Sequence, residues 1–465
     1  MNKVTLKQVL PFLVLATIAV LACFIKPVAD YVDNGKYSSA DIAWIIVATA
    51  LVFLMTPGLA FFYGGMVHRK NVISTMIKSM VAAGIVSVLW IVVGYSLAFG
   101  DDIGGFIGNP LTHLFYKGVN SGEPWVLATS IPKTLFSLFQ LMFAIITPAL
   151  VVGAVAERIR FTSFILFIVL FSILVYAPLA HWSWHPGGFL AKMGALDFAG
   201  GTVVHISAGC AALAGVLVLK RRKVHIEQKD IPPANIPYVL IGTGLLWFGW
   251  FGFNAGSAGA ANALSVSAFA TTNTAAAAAG LSWMFFDVMR GKKPSVMGFC
   301  IGAVVGLVAI TPAAGFVAIP QSIFVGVIAA IVSNVAVIIK QRNTKLDDTL
   351  DVFPCHGIGG MVGMLMTGVF ATKAVNAAGN DGLFLGNVSF FLTQVKAMAI
   401  AVAYSFGVSF VIFKFINFIS PLRVSSEEEE IGLDATQHNE KYLQGTLLIH
   451  NNGKMEEKLA DETKA

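Results

Sequence analysis

Two histidines, His205 and His356, and one acid, Asp197, are the side chains in this sequence whose type and spacing could do chemistry. His205 closes the stretch Asp197-Phe198-Ala199-Gly200-Gly201-Thr202-Val203-Val204-His205, and the apolar run continues to Leu219. On a helix rising about 1.5 Å per residue, His205 stands roughly 12 Å beyond Asp197. That depth falls inside a hydrocarbon layer about 30 Å thick, where an ionisable group is costly and marks a functional site with a partner to be found. His356, in Asp351-Val352-Phe353-Pro354-Cys355-His356-Gly357, is the candidate partner.

Burial disfavours the charged form of an imidazole. Of two neutral rings sharing a hydrogen bond, one donates and the other accepts. Such a pair holds a small guest or relays a proton without supplying a fixed charge. The competing reading is two structural histidines satisfied at helix contacts, since spacing alone does not bring the rings together. No metal is expected, because most sites need more than two protein ligands and no carboxylate–histidine cluster is seen beside them. Asp197 reads as a helix cap accepting from the N–H of Ala199 or Gly200, and its charge would favour a nearby cation. The remaining histidines, His68, His113, His181, His185, His225, His438 and His450, read as loop, interface or tail residues.

The elements that must position these rings are membrane helices. The chain of 465 residues is 56% hydrophobic and 12% charged, against about 25% charge in soluble proteins. Its 45 glycines suit close helix packing in lipid. The four cysteines, Cys23, Cys210, Cys300 and Cys355, lie in or beside apolar runs, so no disulfide framework is expected. The net charge of +6 calls for no nucleic-acid partner.

Eleven apolar segments have spanning length or nearly so: 41–64, 72–98, 127–155, 162–180, 200–219, 236–256, 264–289, 296–311, 320–339, 353–371 and 389–418. The fold class expected is an all-α polytopic membrane protein of eleven transmembrane helices. Basic residues alternate between the connecting loops. One set carries Arg69, Lys70, Arg158, Arg160, the Lys220–Lys229 cluster, Arg290, Lys292, Lys293, Lys340, Arg342, Lys345 and Arg423. The other carries only Lys117, Lys133, Lys192 and Lys373. The first set is therefore read as cytoplasmic, with the first core helix starting outside and the C-terminus inside.

Segments one to five and six to ten then run in opposite orientation. His205 lies in the fifth and His356 in the tenth, each with a glycine four positions on (Gly209, Gly360). This suggests a five-plus-five inverted repeat with its binding region near the midplane. Residues 1–22 read as a signal peptide or an uncleaved extra helix, 23–40 as a periplasmic or extracellular lead-in, 41–419 as the membrane domain and 420–465 as a cytoplasmic tail. Residues 446–465 read as unstructured.

Long motifs then identify the sequence as resembling the ammonium transporter (Amt/Mep/Rh) family, in its bacterial Amt type. They are Pro57-Gly58-Leu59-Ala60-Phe61-Phe62-Tyr63-Gly64-Gly65, Ala156-Glu157-Arg158-Ile159-Arg160-Phe161, Asp197 to His205, Gly249-Trp250-Phe251-Gly252-Phe253-Asn254-Ala255-Gly256-Ser257 and Asp351 to Gly357. The resemblance runs over nearly all of residues 41–440. It departs at His185-Pro186, where the family usually has glycines.

What the resemblance implies is a homotrimer in the bacterial inner membrane, each subunit with its own narrow pore. By motif position, Phe143, Trp184 and Ser257 would form an outer vestibule binding ammonium or methylammonium. Phe143 and Phe253 would be the gate, and His205 and His356 the twin pore histidines. Aromatic faces attract a cation, by about 0.5–2 kcal/mol according to desolvation, and a serine oxygen accepts from ammonium. The hydrophilic tail, with Glu427-Glu428-Glu429-Glu430 and Ile431-Gly432-Leu433-Asp434, is similar to the family's regulatory tail, which PII-type signalling proteins contact. Its competing reading is a solvated charge run. No cofactor is expected and no enzyme activity. The alternative function is an ammonium sensor signalling through the tail.

Overall fold

A computed structural model describes residues 6–25, 36–120, 123–229, 231–343, 345–442, 446–451 and 454–459. Much of the lead-in 23–40 and the ends of the chain lie outside the described residues. Helix α1 (Leu6–Ala22) precedes α2 (Ser39–Met66). The chain continues through α3 (Arg69–Phe99), α4 (Lys133–Val155), α5 (Phe161–Lys192), α6 (Gly201–Leu219) and α7 (Ile236–Ala258). Then follow α8 (Ala263–Met289) and α9 (Val296–Ile310), and α10 (Ile319–Arg342), α11 (Phe353–Phe370) and α12 (Val388–Ile419). Each of the eleven expected segments is thus helical.

Among the described residues, nine of these helices are long and apolar enough to cross a membrane. The other two are α8, which carries Ser, Thr and Asn along its length, and α9, with only 15 residues. Several helices begin where the sequence supplies a cap: Ser38, Asn235, Asn262, Ser295 and Asn387 each accept a backbone N–H of the first turn.

Two expectations need correction. The third segment does not begin at 127, because strand Pro124–Trp125 pairs antiparallel with Ala128–Pro132 and α4 starts only at Lys133. Prolines at both ends of this small hairpin withhold the N–H groups that a helix needs. The end of the tail is not unstructured throughout, since Thr446–Asn451 pairs antiparallel with Lys454–Leu459.

The first helix of each half packs against its counterpart. A Cβ on Gly65 of α2 would lie 2.6 Å from the Asn235 carbonyl, and one on Gly252 of α7 2.6 Å from the Ala48 carbonyl. Only glycine permits that approach.

The tail is docked rather than solvated. Helix α13 (Ser426–Ile431) opens on a capping box between Ser425 and Glu428. Glu428 pairs with Arg160 at 2.8 Å, and Arg423 pairs with Glu429 at 2.6 Å while donating to the carbonyls of Leu219 and Arg221. Helix α14 (Leu433–His438) places Asp434 to accept the N–H groups of Ile73 and Ser74 at the start of α3. Gly432, at φ +112°, lies against Lys70.

Candidate functional site

Both histidines sit on π-helical turns, Gly201–Ile206 at the start of α6 and Phe353–Ile358 at the start of α11. Each turn is held open at its N-terminus by a carboxylate eight residues ahead of the histidine. Asp197 accepts the N–H groups of Gly200 and Gly201 on one oxygen, and the N–H and hydroxyl of Thr202 on the other. Asp348 accepts the N–H of Val352 at 3.0 Å and of Phe353 at 2.8 Å. The capping expected of Asp197 is therefore present, onto Gly200 but not Ala199.

Its counterpart Asp348 was missed by the sequence reading, although the shared spacing of eight could have found it. The glycines also answer each other: Gly209 lies against the backbone of Gly357, and Gly360 against His205 and the Gly201 carbonyl. A side chain at Gly209 would meet the Gly357 backbone at 2.2 Å and push the two turns apart; one at Gly360 would fit tightly.

This packing brings the rings together. The Nδ1 atoms of His205 and His356 are 3.3 Å apart, with ring centroids at 5.5 Å. With Nδ1 shared, Nε2 of His205 is buried and has no hydrogen-bond partner among the described residues. The ring of His205 also stacks on Trp250 at 5.3 Å, and the Trp250 indole N–H is held by the Thr311 hydroxyl at 2.9 Å. The pair lines a cavity of about 10 Å³ walled by Leu59, Ile146, Leu150, Leu246 and Val304 among others. That is room for about one water-sized guest, in a wall offering almost nothing but the two rings to hydrogen-bond with.

Above it lies a wider cavity of about 230 Å³, whose lining includes Phe143, Trp184 and Ser257. All three residues expected at the vestibule therefore share one space. The Trp184 indole N–H donates to the Asp197 carbonyl at 3.0 Å, which fixes its ring at 5.8 Å from that of Phe143. The Ser257 hydroxyl donates to the Phe253 carbonyl at 2.8 Å, leaving its lone pairs as acceptors. Phe143 and Phe253 are 1% and 0% exposed, with ring centroids 4.3 Å apart. Phe143 faces the upper cavity and Phe253 the lower, so this pair is the partition between them.

The sequence reading passed over Trp125, Gln140 and His185 on the wall of this upper cavity. His185, placed earlier among loop and interface residues, stacks on His181 at 4.3 Å. Asp102, His181 and His185 bring ligand atoms within 4.8 Å of one another. His181, however, already faces the Ala98 carbonyl and Asp102 with its two nitrogens, and Nδ1 of His185 accepts the Gly187 N–H. Those bonds oppose a three-ligand metal centre there. Asp287, near the end of α8, is 8% exposed, among Arg290, Lys292 and Asn334.

At the opposite end, Arg222 bridges Glu157 and Asp347 at 2.5 and 2.7 Å. Burial pushes the Glu157 carboxyl up, but the Arg222 charge and the His68 N–H outweigh it and hold it below its ordinary value. Burial pushes Arg158 down to about 10, against the pull of Asp347. These charges tie the loop before α11 to the tail, because Val424 donates its N–H to the Arg158 carbonyl.

Residues 43–442 match the model of the Ammonium Transporter Family. A Bacillus subtilis (strain 168) protein named Ammonium transporter is 46% identical over 407 residues, spanning 88% of this chain and 99% of that relative. The crystal structure of Candida albicans Mep2 matches with a TM-score of 0.80 at 38% identity, covering 85% of this chain and 89% of that one. A solved structure described as "Sensor Amt Protein" matches with a TM-score of 0.78 at 30% identity, covering 86% of this chain and 98% of that one.

Proposed function

Because the chain belongs to the ammonium transporter family, we propose that it moves ammonium across the membrane through the pore lined by His205 and His356. Ammonium is recruited in the vestibule, where Phe143 and Trp184 offer ring faces and Ser257 an oxygen. It passes the Phe143–Phe253 partition when those rings swing aside. In the lumen the guest is held by imidazole nitrogen alone, and the apolar wall penalises any ion that must remain charged, by several kcal/mol. The observation that carries this reading is the pair of rings 3.3 Å apart in an apolar cavity of about 10 Å³.

The test is current and methylammonium uptake recorded from purified protein in bilayers across pH. Saturable uptake with no potassium current is expected; potassium carried as readily as ammonium would refute it. We further place residues 41–419 as a bacterial inner-membrane transport domain that assembles as a homotrimer, with the C-terminus cytoplasmic. Residues 1–22 are read as a signal peptide or retained helix. Residues 420–465 are the regulatory tail, the surface for a PII-type protein.

A second reading, an ammonium sensor that signals through this tail and conducts little, is favoured by one observation. The tail is held by Arg160, by the carbonyls of Leu219 and Arg221 and by the start of α3. Robust uptake by the purified protein separates the two.

A further inference from the structure

Below His356 lies a second small cavity, also of about 10 Å³, that none of the roles above uses. Its wall includes Met66 from the end of α2, Tyr63, and Cys355 and His356 from the π turn of α11. Cys355 is a free thiol, 7% exposed, with no disulfide partner. His356 is 4% exposed and commits Nδ1 to His205; its Nε2 takes no hydrogen bond among the described residues. Residues carrying a thiol, a thioether and an imidazole thus line one space the size of a single small guest. Thiolate and thioether sulfur are the donors that select soft monovalent metals, and imidazole completes such a set, whereas hard cations want oxygen.

We propose that this cavity is a binding site for a soft monovalent cation, Cu(I) or Ag(I), held by Cys355, Met66 and His356, and that its occupation closes the pore. The proposal rests on the pore reading above only for the closing. A bare cation in an apolar wall is costly, but binding here releases the thiol proton. The S–H bond breaks, an S–metal bond forms, and the proton leaves to water, so the site with its ion carries no net charge. That neutrality removes most of the penalty that keeps potassium out. Potassium, with no affinity for sulfur, gains nothing from the same exchange.

Silver nitrate in chloride-free buffer is the probe, since Ag(I) needs no reductant. The full chain is reconstituted in liposomes in a Cys23→Ser background, which removes the one exposed cysteine. Bound silver per chain is counted by native mass spectrometry, and uptake of methylammonium is expressed against each variant's own silver-free rate. Cys355→Ala is expected to bind one silver fewer and to need at least tenfold more silver for half-inhibition, with Met66→Leu in between. Cys355→Ser serves the same comparison if the alanine variant folds poorly. An unchanged silver count in both Cys355 variants overturns the site. A reduced count with uptake that silver never inhibited contradicts the placing of this cavity in the pore instead.

Discussion

Asp348 is expected to matter to transport as much as the residues that touch the guest, although it lines neither small cavity. Its carboxylate, 4% exposed, accepts the two N–H groups that open the turn carrying His356. Asp348→Ala removes a cap, which costs about 0.5–2 kcal/mol. It also leaves buried N–H groups unpaired, at about 1–3 kcal/mol each. These overlap, so the turn is expected to lose roughly 2–5 kcal/mol, and each 1.4 kcal/mol is about a factor of ten in its population.

Lys340 is not orphaned by the change, because its ammonium also pairs with Asp351. The disturbance is therefore confined to the turn and the ring it holds. Methylammonium uptake should fall at least about tenfold, in protein that still inserts and is extracted as the parent is. Asp348→Asn keeps one carbonyl oxygen but sets an amide N–H₂ against the second backbone N–H, so it should fall between. An Asp348→Ala protein that transports and melts as the parent does would show that the turn does not depend on this cap, and that the pairing with Asp197 is incidental.

Phe253→Ala is expected to change the uptake rate without preventing folding, since it opens the partition between the two cavities; an unchanged rate in a well-expressed variant counts against the gate. Removing residues 420–465 should leave a chain that inserts but no longer binds a PII-type protein from the same source, and equal binding by the truncated form would defeat that assignment. Arg222→Ala leaves two buried carboxylates, Glu157 and Asp347, without their shared partner, and should lower stability by about 3–5 kcal/mol as read from thermal melting.

Glu157 also sets a direction with pH. Its folded value lies below the ordinary 4.5, so its contribution is complete above that value and fades as pH falls through the folded one. Melting of the parent, but not of Glu157→Gln, should therefore lose this increment on acidification below about 4.5. A parallel loss in both would exclude Glu157 as its source.

The helices and the order of the fold were legible because a membrane span announces itself by length and hydropathy, and capped starts such as Asn235 and Ser295 sharpen the ends. The π turns were not. In segments apolar on every face, a change from 3.6 to a wider turn leaves no mark on the pattern, and the turn is held from outside it by Asp197 and Asp348. The meeting of His205 with His356 was suggested by the repeat but rests on the reciprocal contacts of Gly209 and Gly360, which spacing cannot show.

The hairpin before α4 was lost because Val126, Leu127 and Ala128 continue the apolar run. A solvated face stayed open as the competing reading of the acidic run at 427–430 because two of its partners, Arg160 and Lys223, stand far away in the chain.

Ammonium and potassium are alike in charge and size, so a ring of oxygens would accept both. A neutral imidazole pair exchanges a proton with ammonium, and potassium has none to give. His205→Asp places an anion in the lumen in contact with His356, and lowers the penalty on a permanent charge. The direct measurement is potassium-dependent growth of a host lacking its own potassium uptake systems, with variant and parent expressed equally. The variant is expected to support growth at potassium concentrations where the parent does not, while still passing ammonium. A variant that excludes potassium as firmly as the parent would contradict the claim that His205 and His356 are the selective element, and would move selectivity up to Phe143, Trp184 and Ser257.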